Sequence, residues 1–160
     1  MLRVPSPYRP RVAAPIARVA GLDYGVLDEL LGYQLRRAQV AMFLAFHAAT
    51  RGEAITPPRF TALVLVGANP GIGQSTLGQV LGIARSGAMM MTDWMEERGL
   101  AERRRRPGDG RSWGVHLTAR GEKLLALLKR RVAAEDRKRA AVLNSRERRE
   151  LLRLLGKLAG

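Results

Sequence analysis

The sequence predicts a mainly helical chain with a small β-hairpin wing: a winged helix-turn-helix flanked by long dimerisation helices. Three observations predict it. Residues 99–121, GLAERRRRPGDGRSWGVHLTARG, read as two short strands joined by a basic Pro-Gly-Asp-Gly turn. The segment just before them, Arg85 to Arg98, has the length of a helix that fits a DNA major groove. Apolar residues at helical spacing fill long segments towards both ends.

Taken in order, Asp23 to Thr50 contains no proline. It places Leu27, Leu30, Leu31, Leu35, Ala38, Met42 and Phe46 at helical spacing, which predicts one long helix. Thr56-Pro57 offers an N-cap hydroxyl followed by proline in the first turn. A second helix runs from there through Phe60, Leu63, Val64 and Val66 to the stop at Asn69-Pro70-Gly71. Ile72-Gly73 is a short extended piece. Gln74 to Leu81 forms a third helix, stopped by Gly82. Ala84 to Arg98 forms a fourth, stopped by Gly99. After the hairpin, Thr118 caps a long helix through Leu124, Leu125, Leu128 and Val132. Asn144-Ser145 interrupts it, and Ser145, Arg148, Leu151, Leu152, Leu155 and Leu158 form the last helix. The organisation expected is a disordered N-terminal arm over 1–20 and a dimerisation helix in 21–55. A DNA-binding lobe follows over 56–118, then C-terminal dimerisation helices over 119–160. The terminal helices are apolar on one face and find too little partner surface within one chain, so a homodimer is the economical solution.

Net charge is +14, from 28 basic and 14 acidic residues. Residues 1–84 hold 8 basic and 4 acidic side chains, and residues 85–160 hold 20 and 10. Such an excess predicts a polyanionic partner. No apolar run is long enough to span a bilayer. The charge alone fits nucleic acid or an anionic membrane; with the basic hairpin and the helix before it, the partner expected is double-stranded DNA, in the cytoplasm, and not a membrane. Two other readings use the same charge. One is an architectural DNA binder with little sequence preference and no ligand. The other is a basic helical protein that binds acidic protein or membrane surfaces. Residues 1–20, with four prolines, several arginines and no acidic residue, lack the apolar core of a signal peptide.

Several chemistries fall away. There is no cysteine, which excludes thiol redox sensing and disulfides and weakens any zinc site. His47 and His116 are the only histidines, too few and too far apart for a metal cluster. His47 is expected on a helix surface or interface, and His116 facing outward from its strand. Ala68 to Ser75, ANPGIGQS, imitates a phosphate-binding loop. Gln74, however, stands where the loop lysine must be, so no charge reaches the β- and γ-phosphates. No nucleophile–base pair stands out. The expectation is a non-enzyme without cofactor or metal.

Over residues 23–158 the chain resembles the MarR-type bacterial transcription regulators. The residues that carry the resemblance are Asp109-x-Arg111 followed by Leu117-Thr118 and Gly121. Gly82, Arg85-Ser86 and the exit Glu97-Arg98-Gly99-Leu100 join them, with the late segment NSRERRELLRLLGKL. The resemblance implies a homodimer held by the first and last helices and DNA binding through the fourth helix and the wing. It also implies a small-molecule ligand between the dimer region and the DNA-binding lobe.

The site residues follow. At about 100° per residue, the fourth helix puts Ala88, Met91, Thr92 and Met95 on one face and Ser86, Met89, Met90 and Asp93 on the other. The first face packs on the third helix, and the other is turned to the groove. Arg85 and Ser86 are best placed for phosphates or base edges. Methionine makes no bidentate hydrogen bonds and touches only apolar edges such as thymine methyl, so direct readout by this helix is expected to be weak. The alternative is that all three methionines fill the core, against which three consecutive helical residues do not share one face. In the wing, Arg111 is expected in the minor groove with Arg104 and Arg106 beside it. Asp109 serves as a structural partner for a nearby arginine. The other reading of the run is a solvated patch. Gln74, Ser75 and Thr76 open the third helix and can bind a phosphate, although an ordinary helix cap explains Ser75 equally well. For an effector, Tyr33, Phe46 and Phe60 offer aromatic walls and Arg37 a cation for a carboxylate. The competing assignment places the aromatics in the core and Arg37 in solvent.

Overall fold

The computed structural model describes residues 14–106 and 109–160, with side chains described outside residues 106–112. It divides into two compact units. One comprises residues up to 52 together with 131–160, the other residues 53–130.

The second unit holds α2 (Pro57–Ala68), β1 (Ile72–Gly73), α3 (Gln74–Leu81), α4 (Arg85–Glu97), β2 (Ala101–Arg106), β3 (Asp109–Leu117) and the start of α5 (Ala119–Arg139). Thr56 occupies the N-cap of α2 in extended conformation, but its hydroxyl makes no capping bond. An N-cap oxygen accepts from the second or third N–H of a helix. Pro58 stands at the second position and has none to give. At the other end, the backbone and side-chain amides of Asn69 both donate to the Leu65 carbonyl, at 3.0 and 2.9 Å. Gly82 closes α3 in the left-handed region at φ +64°, where a Cβ would be strained.

The sheet is antiparallel, in the order β1-β3-β2. The short extended piece expected at Ile72-Gly73 is its third strand, pairing Ile72 with Val115 and Gly73 with Gly114. Arg103 pairs with Val115 and Arg105 with Trp113, and the register shifts between Arg105 and Arg106. The core beneath is made by Leu63, Val66, Leu77, Met95, Val115 and Leu128, all fully buried. Thr92 is buried with them and satisfies its hydroxyl by donating to the Ala88 carbonyl at 2.9 Å.

The entry to α5 is tied to the end of α4. The Thr118 hydroxyl donates to the Gly99 carbonyl at 2.7 Å and accepts from the Gly121 amide at 3.1 Å. The Thr118 amide donates to the Leu100 carbonyl at 3.0 Å. This draws the first turn of α5 against Leu100 so closely that a Cβ on Gly121 would sit 1.9 Å from the Leu100 carbonyl oxygen. Only glycine fits there.

In the first unit, the single helix expected over Asp23 to Thr50 is two pieces. A 3₁₀ turn spans Gly25–Asp28, and α1 spans Leu31–Ala49. The chain breaks because Leu30 is extended at φ −80°, ψ 112°. Upstream, the Asp23 carboxylate accepts from the Gly25 amide at 2.8 Å, a local bond that competes with helix. Of the arm expected to be disordered, residues 1–13 lie outside the described residues, while Ile16, Arg18 and Val19 have defined partners. Arg18 makes a two-pronged ion pair with Asp28, at 2.5 and 2.7 Å, over the Tyr24 ring. That pairing holds the Asp28 carboxyl below the usual carboxylate range. The Val19 amide donates to the Tyr24 hydroxyl at 2.9 Å.

Beyond α5 and a short 3₁₀ turn, α6 runs Ser145–Ala159. Asn144 and Glu147 form a capping box: the Asn144 side chain accepts from the amides of Arg146 and Glu147, and Glu147 accepts from the Asn144 amide. On α6, Leu151, Leu152, Leu154, Leu155 and Leu158 are exposed, as are Leu31 and Met42 on α1. Among the described residues no helix is long and apolar enough to cross a membrane.

Candidate nucleic-acid interface

The faces of α4 fall largely as its periodicity requires, except that Asp93, expected towards the groove, is half-buried and held by Arg103. Ala88, Thr92, Trp94 and Met95 are buried. Arg85 and Ser86 are exposed, Met89 is 51% and Met90 70% exposed, and Met91 is half-buried. The methionine triplet therefore splits, with two side chains presented to solvent and one turned towards the protein. At the start of α3, Ser75 and Thr76 are exposed and Gln74 is half-buried. Gly73, not Ser75, is the N-cap of α3, so the capping explanation for Ser75 does not apply.

The arginine run is not one patch. Arg103 is turned inward, its side chain only 25% exposed. One guanidinium nitrogen bonds Asp93 at 2.6 Å, the other bonds Glu96, and a longer contact of 3.4 Å reaches Gln74. The Arg103 amide also donates to Glu96, at 2.8 Å. One residue thus ties β2 to the middle of α4 and the start of α3. The solvated-patch reading of the run therefore does not hold for Arg103. A guanidinium fork can be half-buried when two carboxylates meet it. Arg104 is exposed and held by Glu102 on its own strand. Arg105 lies 5.5 Å from the centre of the Trp113 ring, which is 49% exposed. Arg106 and Arg111, with Asp109, fall where side chains are outside the described residues.

His116 points to the side opposite the buried Val115. It is half-buried rather than fully outward, lining an open groove of about 390 Å³ with Val66, Pro70, Arg104, Leu117 and Lys129. In the first unit, His47 is half-buried, with Nε2 enclosed and without a partner among the described residues. The Phe43 ring lies edge-on to it at 4.4 Å.

Of the four effector candidates, two come together. The Arg37 guanidinium lies 5.8 Å from the centre of the Tyr33 ring and donates to Gln34 at 3.2 Å and to the Ile16 carbonyl at 3.5 Å. Phe46 is half-buried beside His47, at 6.1 Å between rings. Phe60 belongs to the other unit, on α2. None of the three aromatics is a fully buried core residue, and Arg37 is engaged rather than solvated.

Two constellations lie outside the sequence expectations. The Arg103 clamp has a legible signal: Asp93 and Glu96, three apart on one face of a helix, just before a strand rich in arginine. The other constellation gathers Arg59 and Arg98 around Trp94, at 4.4 and 5.4 Å from the ring centre. Arg59 and Trp94 stand far apart in the chain, on different helices, and no local pattern announces the meeting.

Comparison with known proteins agrees with this architecture. A family model described as MarR family matches residues 55–112. A protein from Thauera aromatica described as a putative transcriptional regulatory protein for the hcr operon is 34% identical over 141 residues, covering 88% of this chain and 85% of that protein. The transcriptional repressor CouR, solved on a 23-mer DNA duplex, superposes with a TM-score of 0.81 at 38% identity, over 87% of this chain and 99% of its own. CouR bound to p-coumaroyl-CoA gives a TM-score of 0.75 at 37% identity, over 86% and 97%.

Proposed function

The chain belongs to the MarR family of transcriptional regulators, and we propose that it is a cytoplasmic homodimeric repressor that binds a pseudo-palindromic operator and is released by a small aromatic or acyl ligand. The observation that carries this reading is the exposed face of α4. Arg85, Ser86, Met89 and Met90 stand clear of the core, in the same unit as a hairpin whose run continues outward with Arg104 and Arg105. Arg85 and Ser86 contact phosphates or base edges, Met89 and Met90 contact apolar edges, and Arg104, Arg106 and Arg111 follow the adjacent backbone and minor groove. Gln74, Ser75 and Thr76 add a phosphate contact at the start of α3.

Dimerisation is supported by the row of exposed leucines on α6 and the exposed apolar residues of α1. Two copies present two recognition helices to half-sites one turn of DNA apart. Effector control is supported by CouR, a relative seen both on DNA and with an aromatic acyl-CoA. Tyr33, Arg37 and Phe46, within one unit, are the residues proposed to meet such a ligand.

Footprinting of the full chain on DNA flanking its own gene tests the reading. The expected result is a protected two-fold site that is lost on adding p-coumaroyl-CoA or a related aromatic thioester. Protection without symmetry, or with no response to any aromatic acid or thioester, contradicts it.

A second reading is favoured by one observation. Two strongly exposed residues of the recognition face are methionines, which carry no hydrogen-bonding group able to discriminate bases. An architectural binder then results. Operator and random DNA of equal length separate the two readings. A specific regulator prefers the operator by about a thousandfold or more, and an architectural protein binds both alike.

A further inference from the structure

Trp94 sits at the centre of a cluster outside the proposed DNA contacts. Its side chain is buried on α4, at 9% exposure. The Arg59 guanidinium, from α2, lies 4.4 Å from the centre of the indole ring, and the Arg98 guanidinium, from the end of α4, lies 5.4 Å away. Each cation is attracted to the ring, and the two repel one another. Partial burial, and then the charge of Arg98, hold Arg59 below the usual arginine range. The hydrogen-bond acceptor found for the Arg59 side chain is a neutral one, the Ala54 carbonyl at 3.3 Å. The indole N–H is enclosed and has no acceptor among the described residues. An unpaired buried donor is costly, and here it lies on the ring that two guanidiniums share. The cluster is rich in donors and positive charge and short of an acceptor.

We propose that Arg59, Trp94 and Arg98 form an oxyanion site that takes the carboxylate or phosphoryl group of the effector. The proposal rests on the effector-released repressor described above. A guanidinium offers parallel N–H donors that match the two oxygens of either group. A DNA phosphate fits the site poorly. The α4 helix has 13 residues, so at about 1.5 Å per residue Arg98 lies roughly 20 Å along the axis from Arg85, the end assigned to the groove. An anion at the site draws Arg59 on α2 towards Arg98 and acts on the recognition helix from its far end.

The test uses full-length protein with Trp113→Phe, which leaves Trp94 as the only tryptophan of the two. Fluorescence and calorimetry follow titration with p-coumarate, a carboxylate without phosphate, and with coenzyme A, which carries phosphates without a carboxylate. At least one probe should bind saturably with a change in Trp94 emission, and which one does so identifies the source of the anion. Arg59→Gln and Arg98→Gln should each weaken that binding by about tenfold or more, as loss of a charge-assisted pair does. In the parent sequence, neither substitution should alter probe-free DNA affinity beyond about twofold. Silence of Trp94 towards both probes, or glutamine variants that bind like the parent, overturns the site. If p-coumaroyl-CoA releases parent and Arg59→Gln proteins from DNA equally, the effector reading stands and this site falls. If a probe binds at Trp94 and binding is lost in both variants, but no acyl-CoA or acid releases DNA, the site stands and the effector reading falls.

Discussion

Arg103 shows how one side chain can change role within a run of identical residues. Composition treats Arg103 to Arg106 alike, and only pairing separates them. Asp93 and Glu96 take the first arginine inward, Glu102 holds the second at the surface, and Trp113 lies beside the third. Arg103→Ala leaves two carboxylates without their fork. Unfolding in urea should show a loss of about 1.5–3 kcal/mol, the range for hydrogen bonds to charged groups. Arg103→Lys should recover only part of it, because an ammonium cannot bridge both carboxylates with one planar group. An alanine variant as stable as wild type would show that the clamp adds nothing to stability. The exposed methionines are readable from helical geometry alone, since 100° steps forbid three neighbours from sharing a core. The Trp94 cluster is only half readable in the sequence: Trp94 and Arg98 stand four apart at helical spacing, while Arg59 joins them through tertiary packing.

Elements are legible where a local physical signal fixes them. Gly82, Gly99, Pro57-Pro58 and Asn69-Pro70-Gly71 bound α2, α3 and α4 within a residue or two of their expected limits. The N-terminal helix is shorter than its pattern, because apolar spacing continues through Leu27, Leu30 and Leu31 while the backbone does not. An Asp23–Gly25 turn and an extended Leu30 break it without any proline. At α6 the opposite occurs: Asn144 reads as an interruption, yet with Glu147 it builds a capping box that starts the helix. Asn144→Ala should therefore reduce stability by about 1 kcal/mol, readable in thermal unfolding. A larger effect is expected at the α4–α5 junction. Gly121→Ala drives a methyl group into the Leu100 carbonyl and should cost about 3 kcal/mol or more, the upper end for overpacking. An alanine variant that melts like wild type would show that the junction yields more easily than its hydrogen bonds with Thr118 suggest.

For the molecule as a whole, the proposed dimer rests on the leucines of α6. A single chain leaves Leu152 61% and Leu158 56% exposed, and burial of such side chains contributes about 1.5–3 kcal/mol each. Deleting residues 145–160 should yield monomeric or insoluble protein in sedimentation. Full-length protein that sediments as a monomer at micromolar concentration would contradict the dimer.

The proposed mode of DNA binding divides the labour: the wing would bind the backbone electrostatically while α4 would add apolar contact. Binding titrations on the operator across a salt series, with wild type, Arg111→Ala and Met90→Ala, separate the two roles. Arg111→Ala should flatten the slope of log K against log salt by roughly 0.9 for each phosphate neutralisation it abolishes, summed over two half-sites. It should weaken binding by at least about tenfold, roughly 1.4 kcal/mol. Met90→Ala should leave the slope unchanged, because methionine carries no charge, and confine any effect to one base position. Wild-type binding by Arg111→Ala together with abolished binding by Met90→Ala would show that the wing is not a DNA element in this protein.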